Sequence, residues 1–294
     1  MTKPAFAAVL GAAAACALAA HAGPAEPAAA PVAPLAPLKV AIPAPLGAEQ
    51  AKKDAATLQK LLSDALHRPV IAEVQSAKVL PLSLAEGAVD AAWLSASQYL
   101  DAARASHNKV LPAAKLVRSG MPFYRSALFV KKTTKGTLLD LKGKHIAWVS
   151  QESAAGYLLA RQLLVSNGFT EHDLRDEKFF GDHAAVCKAV LDGKAELGAT
   201  FANDGRGGSL AGCSESVGDA TKELKVIATS DPIPNDVFAL KPGTPPEVVE
   251  QLRAALIGLS SRPEGKQQLT DLFHADAFVA AADDDFALLR QALK

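Results

Sequence analysis

The sequence predicts an α/β protein built from two lobes. Short β-type runs alternate with helical ones from Leu38 to Tyr99, the same rhythm restarts past residue 123, and the second run closes on an extended Asp231-Pro232-Ile233-Pro234 connector. Strands alternating with helices imply mostly parallel sheets. A chain of 294 residues with 49% hydrophobic content is long enough to bury two cores.

Leu38–Ile42 reads as a strand. Ala51, Ala55, Leu58, Leu61, Leu62 and Leu66 then recur at helical spacing until His67-Arg68-Pro69 stops the helix. Val70–Val74 and Val89–Leu94 read as the second and third strands, with helical material between and after. In the second unit Ala127–Val130 and Ile146–Val149 are strands, and Ala154–Ser166 and Ala184–Leu191 are helices. Leu197–Phe201 is a strand that ends at Asn203-Asp204, followed by a Gly- and Ser-rich excursion between Gly205 and Gly218. Val226–Ala228 and Val237–Leu240 are strands on either side of the proline pair, which blocks helix and favours an extended connector. Three helical stretches close the chain, beginning near Pro246, Pro263 and Asp283. The expected division is therefore residues 38–125 with 231–294 as lobe 1, and 126–230 as lobe 2.

Lys3, the apolar run Ala5–Ala20 and the small-x-small triplet Ala20-His21-Ala22 read as a cleavable export signal over residues 1–22. A transmembrane anchor is the competing reading. The run is Ala-dominated, however, barely long enough to span, and no cluster of Lys or Arg flanks it. Cys16 offers a lipidation site, but Ala13-Ala14-Ala15 lacks the Leu expected three positions before a lipidated Cys. Residues 23–37 are Ala and Pro with Glu26 as their one charge, a composition that makes an extended tether and no core. Export to the periplasm favours disulfides, and Cys187 and Cys213 are the two cysteines beyond the signal. A single bridge between them is the economical inference, and two separate buried thiols are the alternative.

Lys+Arg 31 against Asp+Glu 31 leaves no basic excess for nucleic acid, so any anion must be held locally. The most informative stretch is Trp148-Val149-Ser150-Gln151-Glu152-Ser153-Ala154-Ala155-Gly156-Tyr157, a strand running at once into small residues that open a helix. Ser153 is a good N-cap, and amides at the positive end of a helix dipole make a ready anion site; an ordinary capped turn is the bland reading. Asp182-His183 opens the next helix, where the imidazole can donate to an oxyanion or simply cap. His183 and Cys187 stand at zinc-ligand spacing without a third ligand nearby, so no metal is expected. Tyr99 and Tyr124 are two of 3 tyrosines and fall at element junctions, with core packing as the alternative for each. Asp204, at a strand end, either accepts a proton from a monoprotonated oxyanion or starts the following turn. No nucleophile elbow, phosphate loop or dinucleotide fingerprint is present, so catalysis has no positive support and no cofactor is expected.

From about Leu38 to Lys294 the sequence resembles the phosphate/phosphite/phosphonate-binding family of ABC-transporter periplasmic proteins. The blocks that carry the likeness are Gly87–Leu94 with Tyr99, Tyr124–Leu128, Asp140–Lys144, Ser153–Tyr157, Gly181–His183, Ala189–Glu196 and Ser230–Asp236. The resemblance implies a type II periplasmic-binding fold, two α/β lobes joined by a two-strand hinge around a ligand cleft. It also implies an oxyanion held by Tyr99, Tyr124, Ser126, Ser153, Ala154, Ala155, His183 and Asp204. The helix start Ser153-Ala154-Ala155 has fewer hydroxyls than the family's, and Pro43-Ala44-Pro45-Leu46-Gly47 lacks the aromatic or polar residue that often reaches the ligand. The expected protein is a monomer that captures a small phosphorus oxyanion and hands it to an inner-membrane ABC permease. A sensory input to a membrane kinase and an enzyme on the same scaffold are the rival readings.

Overall fold

The structure is a computed structural model that describes residues 1–2, 36–43, 48–203 and 209–293. The expected signal cleavage site, most of the tether, the loop at 44–47 and Asp204 lie outside the described residues.

The first lobe opens with β1 (Leu38–Ile42), α1 (Ala48–Leu66), β2 (Val70–Val74), α2 (Leu80–Ala85), β3 (Ala91–Leu94), α3 (Ala96–Ala105) and β4 (Leu111–Val117). β3 is buried at all four positions and β1 at all but Lys39, as expected of strands covered on both faces. α1 presents Ala51, Ala55, Leu58, Leu61 and Leu62 to the sheet and ends where His67 takes a positive φ of 49° ahead of Pro69. Ser95 and Gln98 form a reciprocal capping box that starts α3 directly off β3.

The second lobe contains β5 (Phe123–Lys131), β6 (His145–Trp148), α4 (Leu159–Ser166), β7 (Asp176–Phe179), α5 (His183–Leu191), β8 (Leu197–Ala202), α6 (Ala211–Val217), β9 (Leu224–Thr229) and β10 (Ile233–Pro234). The chain then returns to the first lobe as β11 (Val237–Leu240), α7 (Pro246–Gly258), α8 (Pro263–Phe273), β12 (Ala277–Ala280) and α9 (Ala287–Ala292). Sheet order is β12-β4-β11-β3-β1-β2 in one sheet and β10-β5-β8-β6-β7 in the other, with β9 also paired to β5.

The expectation of mostly parallel sheets is corrected. Pairings β1–β2 and β1–β3 are parallel, whereas β11 with β3 and β4, and β12 with β4, are antiparallel. In the second sheet β6 pairs in parallel with β7 and β8, while β5 runs against β8, β9 and β10. The antiparallel pairings all involve strands at or after the two crossings: β4, β11 and β12 in the first sheet, and β5 with β8, β9 and β10 in the second.

That crossing is a two-stranded antiparallel ribbon in which Ile233 pairs with Tyr124 and Pro234 with Phe123. Asn235, 2% exposed, seals it by donating from Nδ2 to the carbonyls of Leu116 (3.1 Å) and Met121 (2.9 Å). The chain passes between the two sheets at residues 118–122 and 235–236.

Cys187 of α5 and Cys213 of α6 are bridged, with Cα atoms 5.5 Å apart and both side chains fully buried. The bond closes a loop with a sequence separation of 26, for which chain entropy gives about 3 kcal/mol. Replacing both cysteines with alanine is expected to lower unfolding free energy by about that amount in a denaturant titration, and an unchanged midpoint would refute it.

Candidate functional site

β6 ends at Trp148, and after a short turn the chain enters a wide π-type turn, Ala154–Leu158, that runs on into α4. Ser153 caps it: its Oγ accepts from the Gly156 N–H at 3.0 Å, and its carbonyl accepts from Tyr157 (3.1 Å) and Leu158 (2.9 Å). Among the described residues the N–H groups of Ala154 and Ala155 have no protein partner, because a helix start leaves its first amides without intrahelical acceptors. The carbonyls of the same turn are tied down. Ser126, fully buried on β5, donates its hydroxyl to the Ala155 carbonyl at 2.6 Å, and the Val149 N–H donates to Gly156 at 3.2 Å. Gly156 is required here, since a Cβ would come closer than 3.0 Å to Val149 and to Ser153 Oγ.

Ser153, Ala154 and Ala155 form one wall of a cavity of about 760 Å³ between the lobes. His183 stands in the same cavity at the first position of α5, where Asp182 caps the helix by accepting from the Ala185 N–H at 2.7 Å. Its Nδ1 lies 2.9 Å from the hydroxyl of Thr200, and its ring meets Phe201 edge-on at 4.9 Å. Burial pushes the imidazole pKa down to about 4, against the opposing pull of Asp182, so His183 is neutral at pH 7. In the tautomer in which the Thr200 hydroxyl donates to Nδ1, the ring carries its proton on Nε2, where that N–H is free to donate. Thr200 is itself held in place: at Gly212 of α6 a Cβ would fall closer than 3.0 Å to its Oγ1. The Cys187–Cys213 bridge thus joins the helix that carries His183 to the one that backs its partner.

The crossing ribbon supplies the floor. Tyr124 is half-buried there, with burial first and the nearby Asp236 carboxylate second raising its phenol pKa, so it stays a neutral O–H donor. Arg118 donates to Asp236 Oδ2 at 2.8 Å and to the Phe273 carbonyl at 3.2 Å. Across the cleft, Asn203 Nδ2 donates to Ser119 Oγ at 3.1 Å and links the end of β8 to the β4–β5 turn. The Arg118 charge is matched by Asp236, so what the described walls offer a polar group is oriented N–H and O–H dipoles rather than an unpaired guanidinium.

Tyr124, Ser153, Ala154, Ala155 and His183 therefore meet in one cavity. Tyr99 is not brought there. It is fully buried in the first lobe, packed on Phe286 with its hydroxyl donating to Asp283 at 2.7 Å. Ser126 sits behind the wall and steers the helix start instead of facing the cavity. Cys187, consumed by the disulfide, leaves His183 without the thiol its spacing offered as a metal ligand. Sequence reasoning missed Arg118, Asn203 and Asp236. Asp236 ended a block already singled out, and Asn203 closed a strand, but Arg118 lies in a turn with no motif around it.

Comparison with known proteins agrees with this fold. A similar fold is found in XAC2383 from Xanthomonas citri bound to ATP, with a TM-score of 0.71 and 16% identity over 87% of this chain and 96% of that one. PhnD1 from Prochlorococcus marinus in complex with methylphosphonate gives 0.66 and 17% over 87% and 96%. A binding component of an ABC phosphonate transporter from Pseudomonas aeruginosa gives 0.63 and 20% over 87% and 84%. The family model described as "ABC transporter, phosphonate, periplasmic substrate-binding protein" matches residues 41–286. The chain belongs to that family of periplasmic solute-binding proteins, which serve ABC importers and are not enzymes.

Proposed function

We propose that this protein captures a phosphorus oxyanion (phosphonate, phosphite or phosphate) in its inter-lobe cavity and delivers it to an ABC permease of the inner membrane. The observation that carries the reading is the pair of unpartnered N–H groups at Ala154 and Ala155, set in one cavity with the His183 imidazole and the Tyr124 phenol. Two similar folds were solved with phosphorus-containing ligands, ATP and methylphosphonate. Residues 1–22 act as the export signal, residues 23–37 as the tether, and the mature chain works as a periplasmic monomer.

Glu152, Asp236 and Asp276 also border the cavity. Carboxylates there accept a hydrogen bond from a ligand P–OH but leave sulfate, which has no proton to give, with unpaired like charge. Calorimetric titration of the mature protein with phosphate, phosphite, methylphosphonate, 2-aminoethylphosphonate and sulfate tests this. At least one phosphorus compound is expected to bind at micromolar concentration, with sulfate at least tenfold weaker; binding of none of them would reject the function.

A further inference from the structure

A second cavity of about 1180 Å³ adjoins the first, and the two share Ser95, Ser97, Glu152 and Asp236 in their walls. A tetrahedral oxyanion with a methyl group needs on the order of 100 Å³, a few waters' worth of space at about 30 Å³ each. The first cavity alone exceeds that. Most of the second cavity is walled by the first lobe itself, through α2, the end of β3 and α3, and those walls do not depend on how far the lobes close. The second lobe contributes Ser150, Glu152 and Leu158, which sit on it as a cover. Its surface is amphipathic: Pro81, Leu82 and Trp93 give apolar area, and Lys78, Gln98 and Arg104 give donors near its walls.

Resting on the oxyanion reading above, we propose that the ligand is an extended organophosphorus compound, a phosphonate or phosphate monoester. Its phosphoryl group would lie against Ser153–Ala155 and its substituent, of roughly ten or more heavy atoms, would fill the second cavity. The apolar walls favour a substituent with at least one hydrophobic face, and the donors beside them favour one that also carries acceptors. A bare phosphate or methylphosphonate occupies the first cavity and leaves the second wet.

The test is a titration of the mature protein with methylphosphonate, a 4-phenylbutylphosphonate and adenosine monophosphate. Wild type is compared with Ala77→Trp and Leu82→Asp, both at exposed positions that border the second cavity alone. Expected is at least tenfold tighter binding of one extended compound than of methylphosphonate, a gain that both variants abolish while methylphosphonate affinity stays unchanged. Adenosine monophosphate against phenylbutylphosphonate separates a polar heteroaromatic substituent from an alkyl-aryl one. Methylphosphonate binding as tightly as both extended compounds overturns the proposal and leaves the oxyanion function standing; an advantage that survives both variants also overturns it. Failure of every phosphorus compound to bind sinks both.

Discussion

His183→Ala is expected to weaken binding of the best phosphorus oxyanion by about ten- to a hundredfold. The imidazole is neutral at pH 7 and its Nδ1 is engaged by Thr200; in the tautomer in which Thr200 donates, Nε2–H is the free donor. A hydrogen bond to a charged acceptor in a partly dry site contributes roughly 1.5 to 3 kcal/mol, and each 1.4 kcal/mol is about tenfold in affinity. A second readout, stability against pH, checks that the imidazole is buried as described, while the affinity separates a ligand role from a packing role. The folded pKa of about 4 lies below the ordinary 6.5, so between these values the unfolded chain binds the extra proton. Stability is therefore full above about pH 6.5 and falls as pH drops towards 4, by up to about 3 kcal/mol from this group. The alanine variant should lose that part of the slope whatever His183 does for the ligand. Loss of the slope with unchanged affinity would assign His183 to packing alone.

Much of this arrangement was legible before any coordinates, and the failures have physical causes. Elements with strong periodicity stood out: α1 by its Ala and Leu spacing, β3 by its unbroken apolar run, and the Ser153 helix start by its cap and small residues. β7 did not, because Asp176-Glu177-Lys178-Phe179 is a polar edge strand held by its ladder to β6 rather than by burial of alternate side chains. β4 was hidden by Pro112, and β10 is two residues long and visible only through its pairing across the crossing. Tyr99 shows the limit for sites. A tyrosine beside a β-to-α turn reads the same whether its hydroxyl meets a ligand or Asp283, and the partner, 184 residues away in sequence, exists only in the fold. Arg118 and Asp236 are legible as charges, but their mutual neutralisation depends on two crossings lying side by side.

Gly156→Ala is expected to reduce ligand affinity at least a hundredfold and to destabilise the fold by about 2 to 4 kcal/mol, combining overpacking with a weakened helix cap. Any Cβ at this position comes within 3.0 Å of the Val149 side chain and of Ser153 Oγ, and neither yields easily. Val149 is 6% exposed and its own N–H is bonded to the Gly156 carbonyl, while Ser153 Oγ is the cap on the Gly156 N–H. The clash is relieved only if the turn retreats from β6. That movement breaks the cap and draws the Ala154 and Ala155 amides away from His183 and Tyr124. On the proposed function the ligand is held by oriented dipoles and not by a free cation, so a shift of about 1 Å removes more than it would from a charge-held site. Adding Val149→Gly clears both clashing Val149 carbons and should recover part of the affinity and of the stability, which distinguishes displacement of the helix start from general misfolding. Titration and thermal melts of the single and double variants decide it: a Gly156→Ala protein that melts and binds like wild type would show that this packing does not set the anion site.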